Sequence, residues 1–174
     1  MCGIVGYIGY RDAVDVILQG LQRLEYRGYD SAGIAVCREN EVCILKEVGK
    51  VAELAARVKE EQLQGCQGIG HTRWATHGGV TQANAHPHTD GEKRITLVHN
   101  GIIENYMDLR EKLQARGMLF ATETDTEVVA KLLSHLLQEE NSLEEALVLL
   151  QENLVGSYAL VVLDAQNPEA LYAV

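Results

Sequence analysis

The chain begins, after its initial methionine, with the sequence C-G-I-V-G-Y-I at residues 2–8. A short apolar run that is interrupted by glycines is typical of a buried β-strand. The ends of a chain usually fray unless other elements hold them. We therefore expect other parts of the chain to hold this N-terminal strand in place.

The next residues predict a helix, a hairpin and a second helix. Apolar side chains recur at helical spacing over residues 12–24, and Gly28 follows as a stop. Two strand-like runs, 32–37 and 42–47, flank a polar turn and predict a hairpin. Residues 51–58 carry the spacing of a second helix. The predicted order of the N-terminal part is therefore βαββα.

The middle of the chain contains a long polar segment between two predicted strands. Residues 68–74 and 95–99 have strand-like patterns, and residues 75–93 between them hold three of the six histidines. A loop of this length within a compact domain usually has a function. A further helix is predicted at residues 103–115, with Gly117 as its C-terminal stop.

Two pairs of residues carry the signature of a helix capping box, in which a Ser or Thr cap is followed three residues later by Glu. They are Thr124 with Glu127, and Ser142 with Glu145. An apolar pattern of helical period follows each pair. A fully buried strand is then predicted at residues 158–163.

These elements predict a single α+β domain. No repeat, linker or low-complexity segment separates them, so we expect the domain to span residues 1–174. The last residues, 170–174, form a strand-like run without a polar tail. A buried strand is an unusual place for a natural terminus. We therefore expect the domain to be truncated at its C-terminal end.

Composition and charge exclude several classes of protein. The 174 residues are 47% hydrophobic and 23% charged, as is ordinary for a globular protein. The formal net charge of −10 has the wrong sign for a protein that binds the phosphate backbone of nucleic acid. Neither an apolar run of about 20 residues nor a secretory signal occurs. We therefore expect a cytoplasmic protein that does not enter a membrane.

Cys2 is the most informative single residue, because removal of Met1 would leave its α-amine free. A terminal α-amine titrates at about pH 7.7 to 8.0 and can accept the proton of the thiol. Nucleophile and base would then belong to one residue, as in enzymes whose N-terminal amine replaces a histidine base. The alternative is a small apolar residue at the start of a strand, and position alone favours that alternative.

Six short motifs occur in a fixed order along the chain. They are CGIVG (2–6), EYRGYDSAG (25–33), HTRWATHG (71–78), NAHPH (84–88), HNGIIEN (99–105) and ETDTE (123–127). This combination resembles the glutaminase domains of the glutamine:fructose-6-phosphate aminotransferase family, a branch of the class II glutamine amidotransferases. The resemblance covers essentially the whole chain and changes the interpretation of Cys2.

The resemblance implies the fold of the N-terminal nucleophile hydrolases, a four-layer αββα sandwich. It implies that Cys2 attacks the side-chain amide of L-glutamine, forms a thioester and releases ammonia, after which water frees L-glutamate. The ammonia would pass to fructose 6-phosphate, giving glucosamine 6-phosphate, in a C-terminal sugar isomerase module to which nothing here corresponds. The resemblance implies no cofactor, no metal, no nucleic acid or membrane partner, and a homo-oligomeric full-length protein.

The reaction needs hydrogen-bond donors for the oxyanion of its tetrahedral intermediate. The resemblance assigns this role to the side-chain amide of Asn100 and the backbone N–H of Gly101. A glycine would let the backbone approach the reacting carbon closely. The alternative is a two-residue hairpin turn, the commonest use of Asn-Gly. The preceding strand pattern and the apolar residues that follow favour the site.

Recognition of glutamine requires a cation for its α-carboxylate and an anion for its α-ammonium group. The resemblance assigns these roles to Arg73, whose planar guanidinium suits a carboxylate, and to Asp125. An acid in the first helical turn is also favoured by about 0.3 to 1 kcal/mol, so both explanations of Asp125 can hold. The other residues implied at the site are Thr76 and His77 as glutamine contacts, Trp74 in a flap, and Arg27 near the nucleophile.

Histidines and cysteines raise the question of a metal site. Five of the six histidines lie between residues 71 and 99, but no H-E-x-x-H or comparable spacing of zinc ligands occurs. We expect these histidines to serve packing and hydrogen bonding. The cysteines other than Cys2 lack a C-x-x-C spacing and are expected to be ordinary thiols that are buried or partly buried; they are Cys37, Cys43 and Cys66.

Two other functions remain open at this point. The first is the glutaminase domain of another class II enzyme, such as an amidophosphoribosyltransferase, in which Tyr-Ser typically replaces Trp74-Ala75. The segments 74–78 and 84–88 favour the fructose-6-phosphate family instead. The second is a non-catalytic glutamine-binding fragment, which would result if Met1 stayed attached and left Cys2 without a basic amine.

Overall fold

Two antiparallel sheets form the centre of the structure, a computed structural model that describes residues 2–76 and 78–174. Within these residues the chain forms eight β-strands and five α-helices. Each sheet has four strands, and each takes its strands from one half of the chain. The α+β class predicted from the sequence is therefore confirmed.

The first sheet contains the strand with which the chain begins. Its strands are β1 (Gly3–Ile8), β2 (Ser31–Arg38), β3 (Glu41–Val48) and β4 (Gln67–Arg73), arranged in the order β1-β4-β2-β3. The predicted hairpin is β2 with β3, which pair antiparallel along their whole length. Strand β4 is central and is buried at every residue.

The N-terminal strand is held by β4. The two strands pair antiparallel from Gly3 opposite Thr72 to Ile8 opposite Gln67. Helix α1 (Ala13–Leu24) then packs against both strands. This pairing supplies the support that the N-terminal strand was predicted to need, and it brings Cys2 beside the end of β4.

The second sheet is built from the C-terminal half of the chain. Its strands are β5 (His88–Thr89), β6 (Ile95–Ile103), β7 (Gly156–Asp164) and β8 (Leu171–Ala173), in the order β5-β6-β7-β8. Strands β6 and β7 pair along nine residues each. This pairing places residues 99–103, the first part of the HNGIIEN motif, on an inner strand of the sheet.

Helices cover the outer face of each sheet. Helix α1 and helix α2 (Val51–Glu60) pack on the first sheet, while α3 (Tyr106–Ala115), α4 (Asp125–Leu137) and α5 (Leu143–Asn153) form a core with the second. In the described part of the chain, no helix is both long enough and apolar enough to cross a bilayer.

A separate apolar layer joins the two sheets. Its buried members come from both sheets and the turn after β7; they are Ala35, Cys37, Val42, Ile69, Val98, Leu163 and Ala165. Helices lie outside each sheet and the sheets face each other, so the order of layers is αββα. The four-layer sandwich that the motif resemblance implied is confirmed.

Two details of secondary structure differ from the sequence prediction. Residues 100–103 continue β6, whereas the pattern predicted that a helix begins at residue 103; α3 begins at Tyr106. The extra strand residues pair with β7, for example Gly101 with Tyr158. The two-residue strand β5 was not predicted, because it exists only through pairing with β6 at Leu97 and Thr96.

The two predicted helix caps form, but the capping boxes do not close fully. The hydroxyl of Thr124 accepts the Glu127 N–H at 3.2 Å, and Ser142 accepts from Glu145 in the same way at 3.2 Å. The carboxylate of Glu127 instead accepts the N–H groups of Ala121 and Thr122. It therefore orders the segment that leads into α4 and not the cap residue itself.

The layer between the sheets should contribute strongly to stability. We expect Ile69→Ala to lower the free energy of unfolding by about 2 to 5 kcal/mol, because Ile69 is fully buried there and the change leaves a cavity. Ile8→Ala is the matched control, since Ile8 is 41% exposed. Equilibrium urea unfolding measures both variants, and equal losses would contradict the assignment of this layer as core.

Candidate active site

The thiol of Cys2 lies against the backbone where β4 ends. The N–H of Trp74 donates to Cys2 Sγ at 3.2 Å, and Sγ lies 3.6 Å from the Trp74 carbonyl oxygen. Asp30 holds the next residue, because its carboxylate accepts the Ala75 N–H at 2.6 Å. Cys2 is partly exposed and therefore accessible to a small molecule.

A small pocket opens beside this thiol. Its walls come from four parts of the chain: Cys2; Arg73, Trp74 and Thr76; His86, His99 and Gly101; and Thr124, Asp125 and Thr126. The volume of its cavity is about 20 Å³, which is room for about one water molecule. The chemistry of its walls, and not the size of the space, therefore indicates the kind of ligand that it could bind.

Arg73 places a positive charge in the wall of the pocket. It is the last residue of β4, and its side chain is almost fully buried, with 3% of the residue exposed. Its guanidinium donates to the Gly79 carbonyl oxygen at 3.3 Å. A buried guanidinium with several donors is suited to binding a carboxylate in a fixed orientation.

Asp125 places a negative charge in the same wall. It is the first residue of α4 and is 4% exposed. Its Oδ2 accepts the Ile103 N–H at 3.1 Å and lies 3.8 Å from His99 Nδ1. Position at the helix N-terminus stabilises the carboxylate, which accounts for this residue as a first-turn acid, and its place in the pocket wall is compatible with the predicted binding role. The pocket thus presents opposite charges to a ligand.

Gly101 is required by the neighbouring strand. It lies in β6 with φ = +124°, and a Cβ there would be 2.1 Å from the Ser157 carbonyl oxygen and 2.7 Å from Tyr158 Cα. No side chain fits that space. Asn100 and Gly101 lie within a strand, so the hairpin-turn alternative for Asn-Gly is wrong. The glycine keeps β6 against β7 while its backbone lines the pocket.

Four histidines form a buried cluster that reaches the pocket wall through His86 and His99: His71, His86, His88 and His99. The rings of His71 and His86 stack at 4.2 Å, and His86 meets His88 edge-on at 4.9 Å. Burial lowers the pKa of His71 to about 3 and lowers those of His86 and His88 well below the ordinary value. These three imidazoles are therefore neutral at physiological pH.

Hydrogen bonds connect the cluster to the start of α4. The Thr126 hydroxyl lies 3.0 Å from His99 Nδ1 and 3.2 Å from His86 Nε2. His88 Nε2 lies 3.2 Å from the hydroxyl of Thr124. Across residues 2–76 and 78–174, no group of three or more His, Cys, Asp or Glu side chains is arranged to hold a metal ion. Packing and hydrogen bonding account for the contacts that these histidines make.

Asn84 joins the polar loop before β5 to the segment before α4. Its amide donates to the Gly79 carbonyl oxygen at 3.0 Å and to Glu123 Oε2 at 3.1 Å, and its Oδ1 accepts the Glu123 N–H. The hydrogen bond from Asn84 lowers the pKa of the Glu123 carboxyl. Because Arg73 also bonds to Gly79, this junction helps to fix its guanidinium in the pocket.

Most of the predicted site residues come together. Six line the pocket, namely Cys2, Arg73, Trp74, Thr76, Gly101 and Asp125. Asn100 lies next to Gly101 on β6, and its Oδ1 is 2.8 Å from His71 Nε2. His77 lies outside the described residues. Trp74 is 55% exposed at the rim, where a covering residue would stand.

Arg27 is not part of the pocket wall. It belongs to a 3₁₀ turn, Glu25–Arg27, that follows α1, and it is exposed. The adjoining Gly28 faces the Trp74 ring, with 3.8 Å between the position of a Cβ and the ring. The turn therefore lies beside the rim of the pocket. If Arg27 acts near the nucleophile, it acts from the entrance of the pocket.

Four further residues line the pocket that the sequence did not single out: His86, His99, Thr124 and Thr126. The clustering of five histidines between residues 71 and 99 was the available signal. Local sequence could not show which of them face a pocket, because that depends on how β6 packs against α4. The threonines were visible only as cap and first-turn residues of that helix.

The pocket residues fall partly within a known family model. A model described as a glutamine amidotransferase domain matches residues 71–174. That range contains the site residues from Arg73 to Asp125, and Cys2 precedes it.

Sequence similarity extends over the rest of the chain. An enzyme named glutamine--fructose-6-phosphate aminotransferase [isomerizing] from Pyrococcus horikoshii is 55% identical over 172 residues, which cover 99% of this chain and 29% of that protein. The enzyme of the same name from Thermus thermophilus is 54% identical over 175 residues, covering 99% and 28%. The chain thus spans less than a third of the length of these curated relatives.

Structural similarity supports the same fold. The solved structure of glutamine phosphoribosylpyrophosphate (PRPP) amidotransferase from B. subtilis matches with a TM-score of 0.81 at 26% sequence identity. The match covers 95% of this chain and 35% of that one. Both sheets and their flanking helices therefore have counterparts in a solved protein.

Acid should destabilise the fold, because three buried histidines stay neutral in it. In the unfolded chain a histidine takes up a proton below about pH 6.5, whereas burial keeps the folded pKa values of His71, His86 and His88 far lower. The unfolded state then binds more protons. The free energy of unfolding should fall as pH decreases below about 6.5, by roughly 1 kcal/mol per pH unit for each histidine.

Urea unfolding at about pH 7 and pH 5 measures this effect, since ordinary carboxylates remain ionised over most of that range. The variant His88→Gln removes one of the three groups and should flatten the dependence by about a third. Equal stability of the unmodified chain at the two pH values would contradict the neutral, buried state of the cluster.

Proposed function

This chain belongs to the glutamine amidotransferase domain family, as its motifs predicted, and from that premise we propose that it hydrolyses L-glutamine to L-glutamate and ammonia through a thioester on Cys2. The observation that carries the proposal is the pocket itself. It combines a partly exposed thiol with a buried cation, Arg73, and a buried anion, Asp125. A nucleophile between opposite charges suits an amino acid substrate that carries its own reactive carbonyl group.

The charges select the substrate. Arg73 binds the α-carboxylate of glutamine and Asp125 binds its α-ammonium group, so the side chain of glutamine extends toward Cys2. Thr76, His77 and Trp74 add contacts around the bound molecule, with Trp74 at the rim, and Arg27 lies at the entrance. Because both charged groups on the α-carbon are held, the side chain leaves the α-carbon in one direction and the amide carbon is presented to the thiol in one orientation.

The first half of the reaction forms the thioester. The free α-amine of Cys2 takes the proton from Sγ, and Sγ attacks the amide carbon, so that the carbonyl oxygen becomes an oxyanion. The Asn100 side-chain amide and the Gly101 N–H donate to this oxyanion. The α-ammonium then gives its proton to the leaving nitrogen. The C–N bond breaks, ammonia leaves and the acyl group stays on sulfur.

The second half regenerates the thiol. The α-amine accepts a proton from a water molecule, whose oxygen attacks the thioester carbon and forms a second oxyanion at the same donors. The C–S bond breaks, the proton returns to sulfur, and L-glutamate leaves. Every step uses residues of this chain and water alone, so that the proposed reaction needs no metal and no cofactor.

The mechanism requires that Met1 be removed. While Met1 remains, the nitrogen of Cys2 belongs to an amide, which has no useful basicity and cannot carry the proton. In that case the polypeptide would bind glutamine without hydrolysing it. The state of the N-terminus therefore separates the catalytic proposal from the non-catalytic alternative.

The names of the relatives suggest the use of the ammonia. We infer that residues 1–174 form the glutaminase domain of a longer, isomerizing aminotransferase, which transfers the ammonia to fructose 6-phosphate and yields glucosamine 6-phosphate. The sugar would bind in a separate C-terminal isomerase module. The inference extends to a cytoplasmic, homo-oligomeric full-length enzyme that needs neither membrane nor nucleic acid.

A second candidate is the glutaminase half of an amidophosphoribosyltransferase, since a PRPP amidotransferase shares the fold. Its sequence identity is 26%, against 55% for the enzyme from Pyrococcus horikoshii. The higher identity favours the fructose-6-phosphate enzyme. Both candidates share the reaction proposed for Cys2.

Intact mass spectrometry of the purified chain tests the nucleophile. We expect loss of Met1 and, after treatment with a glutamine-shaped electrophile, a single adduct that peptide mapping places on Cys2. Cys43 and Cys66 are exposed free thiols, so the expectation that they are buried was wrong, and their exposure makes them suitable internal controls. Iodoacetamide should modify them as well, whereas the glutamine analogue should not.

Two further measurements complete that test. An excess of L-glutamine should protect Cys2 from the analogue, and Cys2→Ala should abolish ammonia release while glutamine binding persists. Ammonia release by Cys2→Ala, or an adduct distributed over Cys43 and Cys66, would contradict the assignment of the nucleophile.

The role of Asp125 can be separated from its structural role. Asp125→Asn keeps an oxygen acceptor for the Ile103 N–H but removes the negative charge. We expect KM for glutamine to rise about 10-fold to 100-fold, because a hydrogen bond to a charged group contributes about 1.5 to 3 kcal/mol. Asp108→Asn, an equal change on the exposed face of α3, is the control. An unchanged KM for Asp125→Asn would exclude the ammonium contact.

A further inference from the structure

We propose that His71 is a positioning residue, which orients the Asn100 side-chain amide so that its NH₂ group can donate to the oxyanion. The inference rests on the proposed function, because it assigns a partner to one of the two oxyanion donors. His71 does not belong to the pocket wall, so it acts through Asn100 and not on the substrate.

The two side chains meet across the sandwich. His71 lies in the middle of β4, paired with Ile4 of β1 on one side and with Gly33 of β2 on the other. Asn100 lies on β6 of the facing sheet. The distance from His71 Nε2 to Asn100 Oδ1 is 2.8 Å, and His71 is fully buried. Because β4 is paired with a strand on each side, the backbone that carries the imidazole is held in place.

The polarity of this hydrogen bond determines which end of the amide faces the pocket. A carboxamide has an acceptor oxygen and a donor nitrogen, and only the nitrogen can stabilise an oxyanion. A neutral imidazole with its hydrogen on Nε2 donates to Oδ1. The NH₂ group of Asn100 then points away from His71. Rotation of the amide by half a turn would place two donors against each other.

The surroundings keep His71 neutral and its ring in one plane. Burial lowers the pKa of His71 to about 3, so that one ring nitrogen carries a hydrogen and the other does not. The His71 ring stacks on that of His86, with an angle of 23° between the planes. His86 is itself held by the His99 N–H, at 3.3 Å from its Nδ1. The cluster therefore fixes the plane of the His71 ring. Its Nδ1 is buried and makes no hydrogen bond, so a hydrogen on Nε2, which faces Asn100 Oδ1, is the arrangement that leaves no buried donor unpaired.

Orientation of the amide would otherwise depend on weaker preferences. Asn100 is only partly buried, and a carboxamide that can rotate presents its oxygen to the oxyanion part of the time. Repulsion between two oxygens would then replace a hydrogen bond. A group that orients Asn100 should raise kcat and leave KM unchanged, because the contact matters only when the oxyanion forms.

A double-mutant cycle on kcat tests the inference. The variants are Asn100→Ala, His71→Met and the double variant, measured by ammonia release. Loss of one oxyanion donor usually lowers kcat by about 100-fold to 1,000-fold. We expect His71→Met to lower kcat at least about 10-fold with KM within about 2-fold, and to have no further effect in the Asn100→Ala background.

Two other variants act as matched controls. His71→Gln places an amide nitrogen near the position of Nε2 and should recover most of the lost kcat. His88→Met removes another histidine of the same cluster, one that bonds to Thr124 and not to Asn100. Any effect of His88→Met on kcat should multiply with that of Asn100→Ala, in contrast to the effect of His71→Met.

Several results would overturn the inference. These are an unchanged kcat for folded His71→Met, a kcat loss that multiplies with that of Asn100→Ala, or a rise in KM without a loss of kcat. If His71→Met does not fold, as judged by its melting transition, His71→Asn takes its place in the cycle. That side chain remains polar but is too short to reach Asn100.

Failure of the proposed function would look different. Wild-type kcat in Asn100→Ala would remove Asn100 from the oxyanion site, and absence of turnover in the unmodified, Met1-free chain would remove the reaction itself. Both results come from proteins in which His71 is intact. These two results would contradict the proposed function, on which the inference rests. The double-mutant cycle tests only the role of His71.

Discussion

The antiparallel pairing of β1 with β4 is the constraint on which the rest of the site depends. It ties the first residues of the chain to a fully buried central strand. It also places Cys2 Sγ at 3.2 Å from the Trp74 nitrogen, directly after the residue that supplies the positive charge of the pocket. A nucleophile that uses its own α-amine must stand at a chain terminus, and termini fray. The pairing reconciles these two requirements.

The buried histidines connect the first sheet, which holds the N-terminal strand, with the second sheet and α4. His71 stands on β4, while His86 and His99 connect through Thr126 to the N-terminal turn of α4, where Asp125 faces the pocket. Burial lowers the pKa values of His71 and His86 in this network, so protonation of these two imidazoles at low pH opposes the folded state. Asn100 and Asp125, for which we propose roles in oxyanion stabilisation and substrate binding, thus both contact this group of buried histidines.

Much of the fold could be read from local patterns. The apolar periods of α1, α2, α4 and α5 and the hydroxyl caps at Thr124 and Ser142 depend on residues within a few positions of one another. The incorrect predictions of secondary structure share one cause. β5 exists only because it pairs with β6, and residues 100–103 form a strand because β7 lies beside them. The sequence predicted a strand only as far as residue 99 and a helix from residue 103, and pairing with β7 extends the strand through Ile103.

The family, the order of the main elements and the candidate site residues can be predicted from the sequence, because motifs and periodicity are local properties. Which of these residues meet depends on the tertiary structure. Cys2, Arg73, Gly101 and Asp125 are far apart along the chain, and strand pairing and helix packing bring them to one pocket. Tertiary structure also creates the need for glycine at position 101 and the contact between His71 and Asn100. Each of these features arises between two strands, and no local sequence pattern encodes how those strands are placed.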